Sequence, residues 1–72
     1  FSLKEEQTIH IYIYDLNGRL IHVEQNGKLK EGNHRWVWNG LDQAGKEVFH
    51  GMYFVKLIGD TEAHQKILIK SW

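Results

Sequence analysis

The sequence predicts an all-β fold, a small antiparallel β-sandwich. Apolar and polar residues alternate with a period of two along much of the 72-residue chain, which is the pattern of strands with one buried face. Seven glycines, several of them close to Asn or Asp, separate these stretches as turns separate short strands. Because no long stretch has the i, i+3, i+4 apolar spacing of a helix, we expect about seven short strands in one sandwich.

The first half of the chain contains a predicted hairpin. Phe1–Leu3 is predicted as a short edge strand, and Thr8–Tyr14 as a half-buried strand with its isoleucines on one face. The turn Asp15–Gly18 follows, because an aspartate at its first position can accept a backbone hydrogen bond and the glycine can take a positive φ. Arg19–Val23 then returns as the partner strand of the hairpin.

Further strands are predicted between glycine turns in the second half of the chain. His34–Trp38 alternates again with both tryptophans on one face, and a short strand is expected near Glu47–Phe49. Met52–Ile58 and Ala63–Lys70 are predicted to form the last hairpin. Turns are predicted at residues 26–27, 32–33, 39–40, 42–45 and 59–60, where Gly occurs with Asn or Asp.

The small size of the chain predicts a core of large side chains. Domains below about 70–80 residues rarely gain enough stability from a core without a disulfide or a metal. The chain has no cysteine, but it has three Trp, three Tyr and three Phe. The predicted core residues are Ile9, Ile11, Ile13, Leu20, Trp36, Trp38, Tyr53, Val55, Leu57, Ile67 and Ile69.

Composition and charge exclude several classes of function. The absence of cysteine excludes disulfides and thiolate chemistry, and a formal net charge of +0 argues against binding to nucleic acid or anionic lipid. No apolar run approaches the roughly 18 residues of a membrane span. A chain this short has little room for a deep pocket beside its own core, so we predict no enzymatic activity and no cofactor.

The titratable residues have ordinary structural interpretations. The five histidines do not have the spacing of paired metal ligands, so we predict no metal site. Asp15, Asp42 and Asp60 each lie in a predicted turn, where an aspartate caps backbone N–H groups. We therefore expect turn capping by these carboxylates, rather than acid–base catalysis.

Four segments resemble the motifs of one immunoglobulin-like family. Ile13–Ile21 resembles its IYD-x-x-GR hairpin, and Trp38–Gly45 resembles its W-D/N-G-x-D-x-x-G loop. Gly51–Leu57 is similar to its G-hydrophobic-Y strand, and Lys66–Lys70 to its terminal lysine-flanked strand. The motif residues in the first three segments are Asp15, Asn17, Gly18, Arg19, Trp38, Asn39, Gly40, Asp42, Gly45, Gly51 and Tyr53.

Two groups of proteins share these motifs. One is the C-terminal sorting domain of the type IX secretion system, and the other is the immunoglobulin-like domain of the flagellar hook-capping protein. The resemblance to the first implies that residues 1–72 are one sorting domain cut from a larger secreted protein. Such a domain is a non-catalytic signal for export and surface attachment of an upstream cargo in the same chain. It passes through the periplasm, and the cargo reaches the outer membrane, the cell surface or the medium.

The resemblance also implies protein partners in the outer membrane: a shuttle, a translocon and a sortase-like peptidase. We expect them to recognise the last hairpin, where strand addition to another sheet is one physical route. If Tyr53, Val55 and Leu57 point inward on one strand and Ile67 and Ile69 on the other, an outward patch remains. It consists of Met52, Phe54 and Leu68. The predicted recognition residues are Met52, Phe54, Lys66, Ile67, Leu68, Ile69 and Lys70, with Leu68 and both lysines facing outward.

Two alternative functions remain open at this point. One is a structural immunoglobulin-like module, as in the hook-capping protein or as an accessory domain of an exoprotein. The other is a carbohydrate-binding module that stacks sugar rings on Tyr12, Tyr14 or Trp72.

Overall fold

The computed structural model describes residues 1–72, with the exception of the side chain of Gln25. It is all-β with antiparallel pairing, which confirms the predicted fold class. The six strands are β1 (Ser2–Leu3), β2 (Gln7–Tyr14), β3 (Leu20–Leu29), β4 (Gly32–Asn33), β5 (Gly51–Ile58) and β6 (Ala63–Lys70). A single bridge between Leu41 and Glu47 lies outside these strands.

The strands form a four-stranded sheet with a smaller second layer. The sheet has the order β3-β2-β5-β6, and β1 pairs with β4 in a separate ribbon. The inner face of the sheet is covered by Leu3 of this ribbon and by Trp36 and Trp38 of the long segment between β4 and β5. The fold therefore buries one face of the sheet and leaves the other face outward.

Two adjoining clusters make up the core. One contains Leu3, Ile9, Ile11 and Leu57, and the other contains Ile13, Trp38 and Tyr53. Trp36 and Val55 are half-buried and pack against both clusters, so the predicted large side chains do supply the core. Among the described residues, no helix is long and apolar enough to cross a membrane.

Some predicted boundaries are wrong. β3 continues through the turn predicted at residues 26–27, because Asn26 and Gly27 pair with His10 and Ile9 of the long strand β2. His34–Trp38 forms no ladder, although its side chains still alternate between the core and solvent. Extended backbone alternates its side chains whether or not it pairs, so alternation alone does not identify a paired strand. The strand expected near Glu47–Phe49 is reduced to the single bridge at Glu47.

The direction of the side chains on β6 is also opposite to the prediction. Ile67 and Ile69 are 58% and 64% exposed, whereas Lys70 is 2% exposed and Leu68 packs against the core. The register pairs Leu68 with the buried Tyr53, and a strand with one residue inward has its neighbours outward. Leu20, another predicted core residue, is 49% exposed because it pairs with the outward Tyr14.

Candidate functional site

Two aspartate-centred loops close the hairpin and the long segment with the same hydrogen bonds. The Oδ1 atom of Asp15 accepts bonds of 2.9 Å from the backbone N–H groups of Asn17 and Arg19. The Oδ1 atom of Asp42 accepts bonds of 3.0 and 2.9 Å from the N–H groups of Ala44 and Lys46. In both loops the fourth residue is a glycine with φ of +80°, a conformation that favours glycine.

The aspartates are therefore occupied in loop closure. Arg19 also donates to Oδ2 of Asp15 at 3.1 Å. The hydrogen bond from the backbone N–H of Arg19 is the main cause that holds the pKa of Asp15 below its usual value. Such a carboxylate stays ionised and bound, which suits a structural role.

The second loop docks on the first hairpin. The N–H of Gln43 donates to the carbonyl of Ile21 at 3.0 Å, and the N–H of Val23 donates to the side-chain oxygen of Gln43 at 2.9 Å. These two bonds tie the second loop to β3. The two loops thus meet at one end of the sheet.

The motif residue Trp38 lies at the centre of this end. Its indole N–H donates to the carbonyl of Leu41 at 3.0 Å, and its ring packs edge-on against Tyr53 at 5.2 Å. Trp72 packs edge-on against the same indole at 6.4 Å. The side chain of Asn39 accepts a bond of 3.1 Å from the N–H of Leu41, so it shapes the turn after the tryptophan.

Gly40 allows the end of β6 to approach this loop. Its φ is +81°, and a Cβ atom built on it lies 2.7 Å from Cε of Lys70 and 3.1 Å from Nε1 of Trp72. Lys70 crosses above Gly40 and donates to the carbonyl of Val48 at 2.7 Å. The loop Trp38–Gly40 therefore leaves space for the Lys70 side chain.

Tyr53 lies on β5 and joins the contacts around Trp38 at this end of the sheet. Its hydroxyl donates to the carbonyl of Phe49 at 2.6 Å, and it follows the positive-φ Gly51 that begins the strand. Burial, with a smaller contribution from the charge of Asp15, raises the pKa of Tyr53 above 10.0. The motif residues thus lie close together, and their contacts stabilise the fold.

The predicted recognition residues are divided between the two faces. Met52 and Phe54 face outward as predicted, together with Ile67 and Ile69. The predicted outward position of three other residues is wrong, because Lys66, Leu68 and Lys70 share the inner face with Val55 and Tyr53. The predicted outward position is most clearly wrong for Lys70, because its ammonium group reaches acceptors on the long segment.

An apolar row crosses the outer face of all four strands. Direct register partners join Leu20 of β3, Tyr14 of β2, Phe54 of β5 and Ile67 of β6, and Met52 and Ile69 pair beside this row. We call this set the outer stripe; its members are Tyr14, Leu20, Met52, Phe54, Ile67 and Ile69. A contiguous apolar surface of this kind marks an interaction site more often than scattered exposed residues do.

Sequence reasoning missed Gln7, and it missed the burial of Lys70. Gln7 is 1% exposed; its Oε1 atom accepts from the N–H of Thr61 and its Nε2 atom donates to Glu62, both at 3.2 Å. Extending the alternation of Ile9 and Ile11 by two residues indicates an inward Gln7. Extending the alternation by two residues from the inward Leu68 likewise indicates an inward Lys70.

The histidines lie in separate places. His22 contacts Glu24, and His64 lies 3.0 Å from Glu62. A hydrogen bond from His64, and a second from Gln7, lower the pKa of Glu62. Within the part of the chain that the structure describes, no three or more histidine, aspartate or glutamate residues form a group that could hold a metal ion.

Comparison with known families identifies one match. Residues 3–62 match the family model described as the FlgD Ig-like domain. The matched range contains both aspartate loops, Trp38 and Tyr53, and it ends before β6. Neither the curated proteins nor the solved structures include a significant match to the chain.

Proposed function

Because this chain belongs to the FlgD Ig-like domain family, we propose that it is a non-catalytic structural module that packs against an adjoining domain through its outer stripe. FlgD Ig-like domains are structural domains without catalytic function. The outer stripe is the observation that carries the proposal. The contacts of Trp38 lie on the inner face of the sheet, and the stripe lies on the outer face.

The composition of the outer stripe supports an apolar partner surface. None of its six side chains carries a formal charge, and Ile67, Ile69 and Met52 are 58%, 64% and 43% exposed. Lys56 lies beside the stripe, with its ammonium group 5.6 Å from the centre of the Tyr14 ring. Burial of these side chains against another domain is favoured by the hydrophobic effect.

Oxidation of Met52 tests this proposal with a simple readout. Met52 is the single methionine of the chain, and its conversion to the sulfoxide by hydrogen peroxide is followed by mass spectrometry of the peptide that contains it. We expect slower oxidation in the natural full-length protein than in the isolated chain. Equal rates in the two would overturn the proposal, because a covered stripe shields the thioether.

Matched variants assign the protection to the outer stripe. Ile67→Asp with Ile69→Asp in the full-length protein is expected to restore rapid oxidation of Met52, because the charges prevent an apolar contact. Val37→Asp is the control, since Val37 is 70% exposed and lies outside the stripe. Protection that persists in the double variant would contradict the assignment.

A second candidate function is the sorting signal implied by the resemblance to type IX secretion domains. The observation that favours it is the position of β6, which pairs only with β5 and therefore has a free edge. The proposed partners are the shuttle, the translocon and the sortase-like peptidase of the outer membrane. They would act on a cargo-bearing protein in transit through the periplasm.

Point variants test the sorting function better than truncation does. Removal of residues 66–72 also removes Leu68 and Lys70, which pack inward, so truncation takes away core contacts as well as the outward side of the strand. Ile67→Asp with Ile69→Asp alters only the outward side chains. If this variant still sends its natural cargo to the surface at the normal level, recognition of the outward side of β6 is excluded.

A further inference from the structure

A cleft of about 350 Å³ lies on the inner face of the sheet. Its apolar lining comes from Ile11, Val55 and Leu57 on the strands and from Trp36 on the long segment. Phe1 and His34 stack with their ring centres 5.4 Å apart and form the opposite wall. The cleft opens at β6, where Leu68 and Ile67, the latter a member of the outer stripe, also line it.

The charged groups around the cleft have one sign. Arg35 and Lys66 line it together with His34 and His64, and none of the lining residues is acidic. Among the described residues, neither Arg35 nor Lys66 forms an ion pair. One of these residues, His64, contacts a carboxylate, that of Glu62, at 3.0 Å. The rim therefore favours an anionic ligand.

Two features of the cleft can still form hydrogen bonds. They are the side chain of Trp36 and the backbone at the free edge of β6. The indole N–H of Trp36 is buried and has no acceptor among the described residues. A buried donor without an acceptor costs free energy that a ligand can recover. The backbone of β6, which borders the cleft through His64, Lys66 and Leu68, is paired on one side only.

We propose that the cleft binds an extended acidic peptide segment, which adds to the free edge of β6 as a fifth strand. Alternate side chains of an added strand point to the inner face. These side chains adjoin those of β6, so apolar ones pack beside Leu68 at the open side of the cleft, and acidic ones meet Lys66 and extend toward Arg35. The free edge distinguishes a peptide from a small apolar carboxylate, because only a peptide can continue the ladder of the sheet.

The proposal is tested with a synthetic peptide of known design. The probe is an acetylated and amidated octapeptide, Thr-Val-Thr-Glu-Thr-Val-Thr-Glu, in which Val and Glu share one face when it is extended. Titration of the full ¹⁵N-labelled chain is followed by NMR, after its fold is checked by near-ultraviolet circular dichroism. We expect shifts of the Trp36 indole N–H resonance and of the β6 amides. Absence of binding to this probe would overturn the proposal.

Variants of the protein test the charge on the rim. Lys66→Glu is expected to weaken binding about tenfold, since it places a like charge beside the peptide carboxylates. Lys28→Glu is the matched control, because Lys28 is an exposed lysine on β3, at the opposite edge of the sheet. Equal weakening by both variants would show a general charge effect and contradict a site at the cleft.

Variants of the probe test the mode of binding. A peptide with Lys in place of Glu is expected to lose binding through charge repulsion. Of two peptides with a methylated backbone nitrogen, one at the fifth residue and one at the sixth, one is expected to lose binding, because the N–H groups of consecutive residues point to opposite sides of a strand and only one side faces β6. Dodecanoate is the probe for the competing ligand class. If dodecanoate shifts the Trp36 resonance while the octapeptide does not, or if both N-methylated peptides bind as well as the original, strand addition is excluded.

Discussion

The ammonium nitrogen of Lys70 lies 2.7 Å from the carbonyl oxygen of Val48, and the lysine is 2% exposed. A second bond of 3.2 Å reaches the carboxylate of Glu47, which is itself 69% exposed at its side chain. The lysine thus joins the end of β6 to the long segment that covers the sheet. The whole side chain is buried, its ammonium group included, so its charge depends on these acceptors.

Removal of the Lys70 ammonium group is predicted to destabilise the domain. Lys70→Met retains an apolar stem but leaves the Val48 carbonyl without its donor, so we expect a loss of about 1–3 kcal/mol in the free energy of unfolding. Glu47→Gln is the control, and its expected effect is below about 1 kcal/mol, because ion pairs with an exposed partner contribute little. Urea unfolding measures both. A Lys70→Met protein as stable as the original would show that the bond to Val48 does not contribute.

Two glycine substitutions separate backbone strain from steric overlap. Gly18→Ala and Gly40→Ala both place a side chain at a φ close to +80°, which costs roughly 1 kcal/mol or more. At Gly18 nothing lies within 4 Å of the new Cβ, whereas at Gly40 the new Cβ meets the stem of Lys70. Because Lys70 is buried and hydrogen-bonded, it cannot move away freely, and Gly40→Ala is expected to be the more destabilising. Thermal unfolding of the two variants provides the comparison, and equal losses would exclude a packing role of Gly40.

Asp15 is predicted to make stability depend on acidic pH. Its pKa is lower in the folded chain than its usual value of 3.8, chiefly because of the hydrogen bond from the Arg19 backbone. Stability from this group is therefore present above the unfolded pKa, and it is lost as the pH falls through the folded pKa. Asp15→Asn should reduce the difference between the midpoints of unfolding at neutral and at strongly acidic pH.

Glu5→Gln serves as the control for this pH dependence, since Glu5 is an exposed acidic residue on the connection between β1 and β2. The control is expected to retain the full loss of stability in acid. A midpoint for Asp15→Asn that falls as steeply as that of the original chain would refute the assignment to Asp15.

The two inner tryptophans are predicted to differ in their response to phenylalanine. Trp38→Phe removes a donor and leaves the Leu41 carbonyl without its bond of 3.0 Å, in addition to the loss of packing with Tyr53. Trp36→Phe removes an N–H that has no acceptor among the described residues. We expect Trp38→Phe to be the more destabilising, by about 1–3 kcal/mol. Denaturant unfolding with the remaining tryptophans as fluorescent probes measures the difference, and the reverse order of stability would contradict the prediction.

The local features of the domain could be predicted from the sequence because their causes are local. Alternation identified β2, β5 and β6 to within a residue or so, and the Asp-x-x-Gly sequences identified the loops at Asp15 and Asp42. An aspartate caps a turn through N–H groups two and four residues away, so the nearby sequence contains the whole interaction. The family motifs contain these same aspartates and glycines.

The face of β6 could not be predicted in this way. Both alternating sets of the strand contain apolar residues, and the pair Ile67 and Ile69 is the more hydrophobic, which favours the wrong face. The choice depends on the register with Tyr53 and on acceptors for the Lys70 ammonium group, which come from a segment more than twenty residues away. For the same reason the sequence did not indicate the basic cleft, since Lys66 was expected on the outer face.

The sequence by itself determined the all-β class, the loop chemistry of the two aspartates and most of the aromatic core, because alternation and turn formation depend on neighbouring residues. Only the tertiary structure decided which residues of β6 are buried, how Lys70 packs over Gly40, and which side chains form the outer stripe and the cleft. These features depend on strand order and register, and those depend on contacts between residues far apart in the chain.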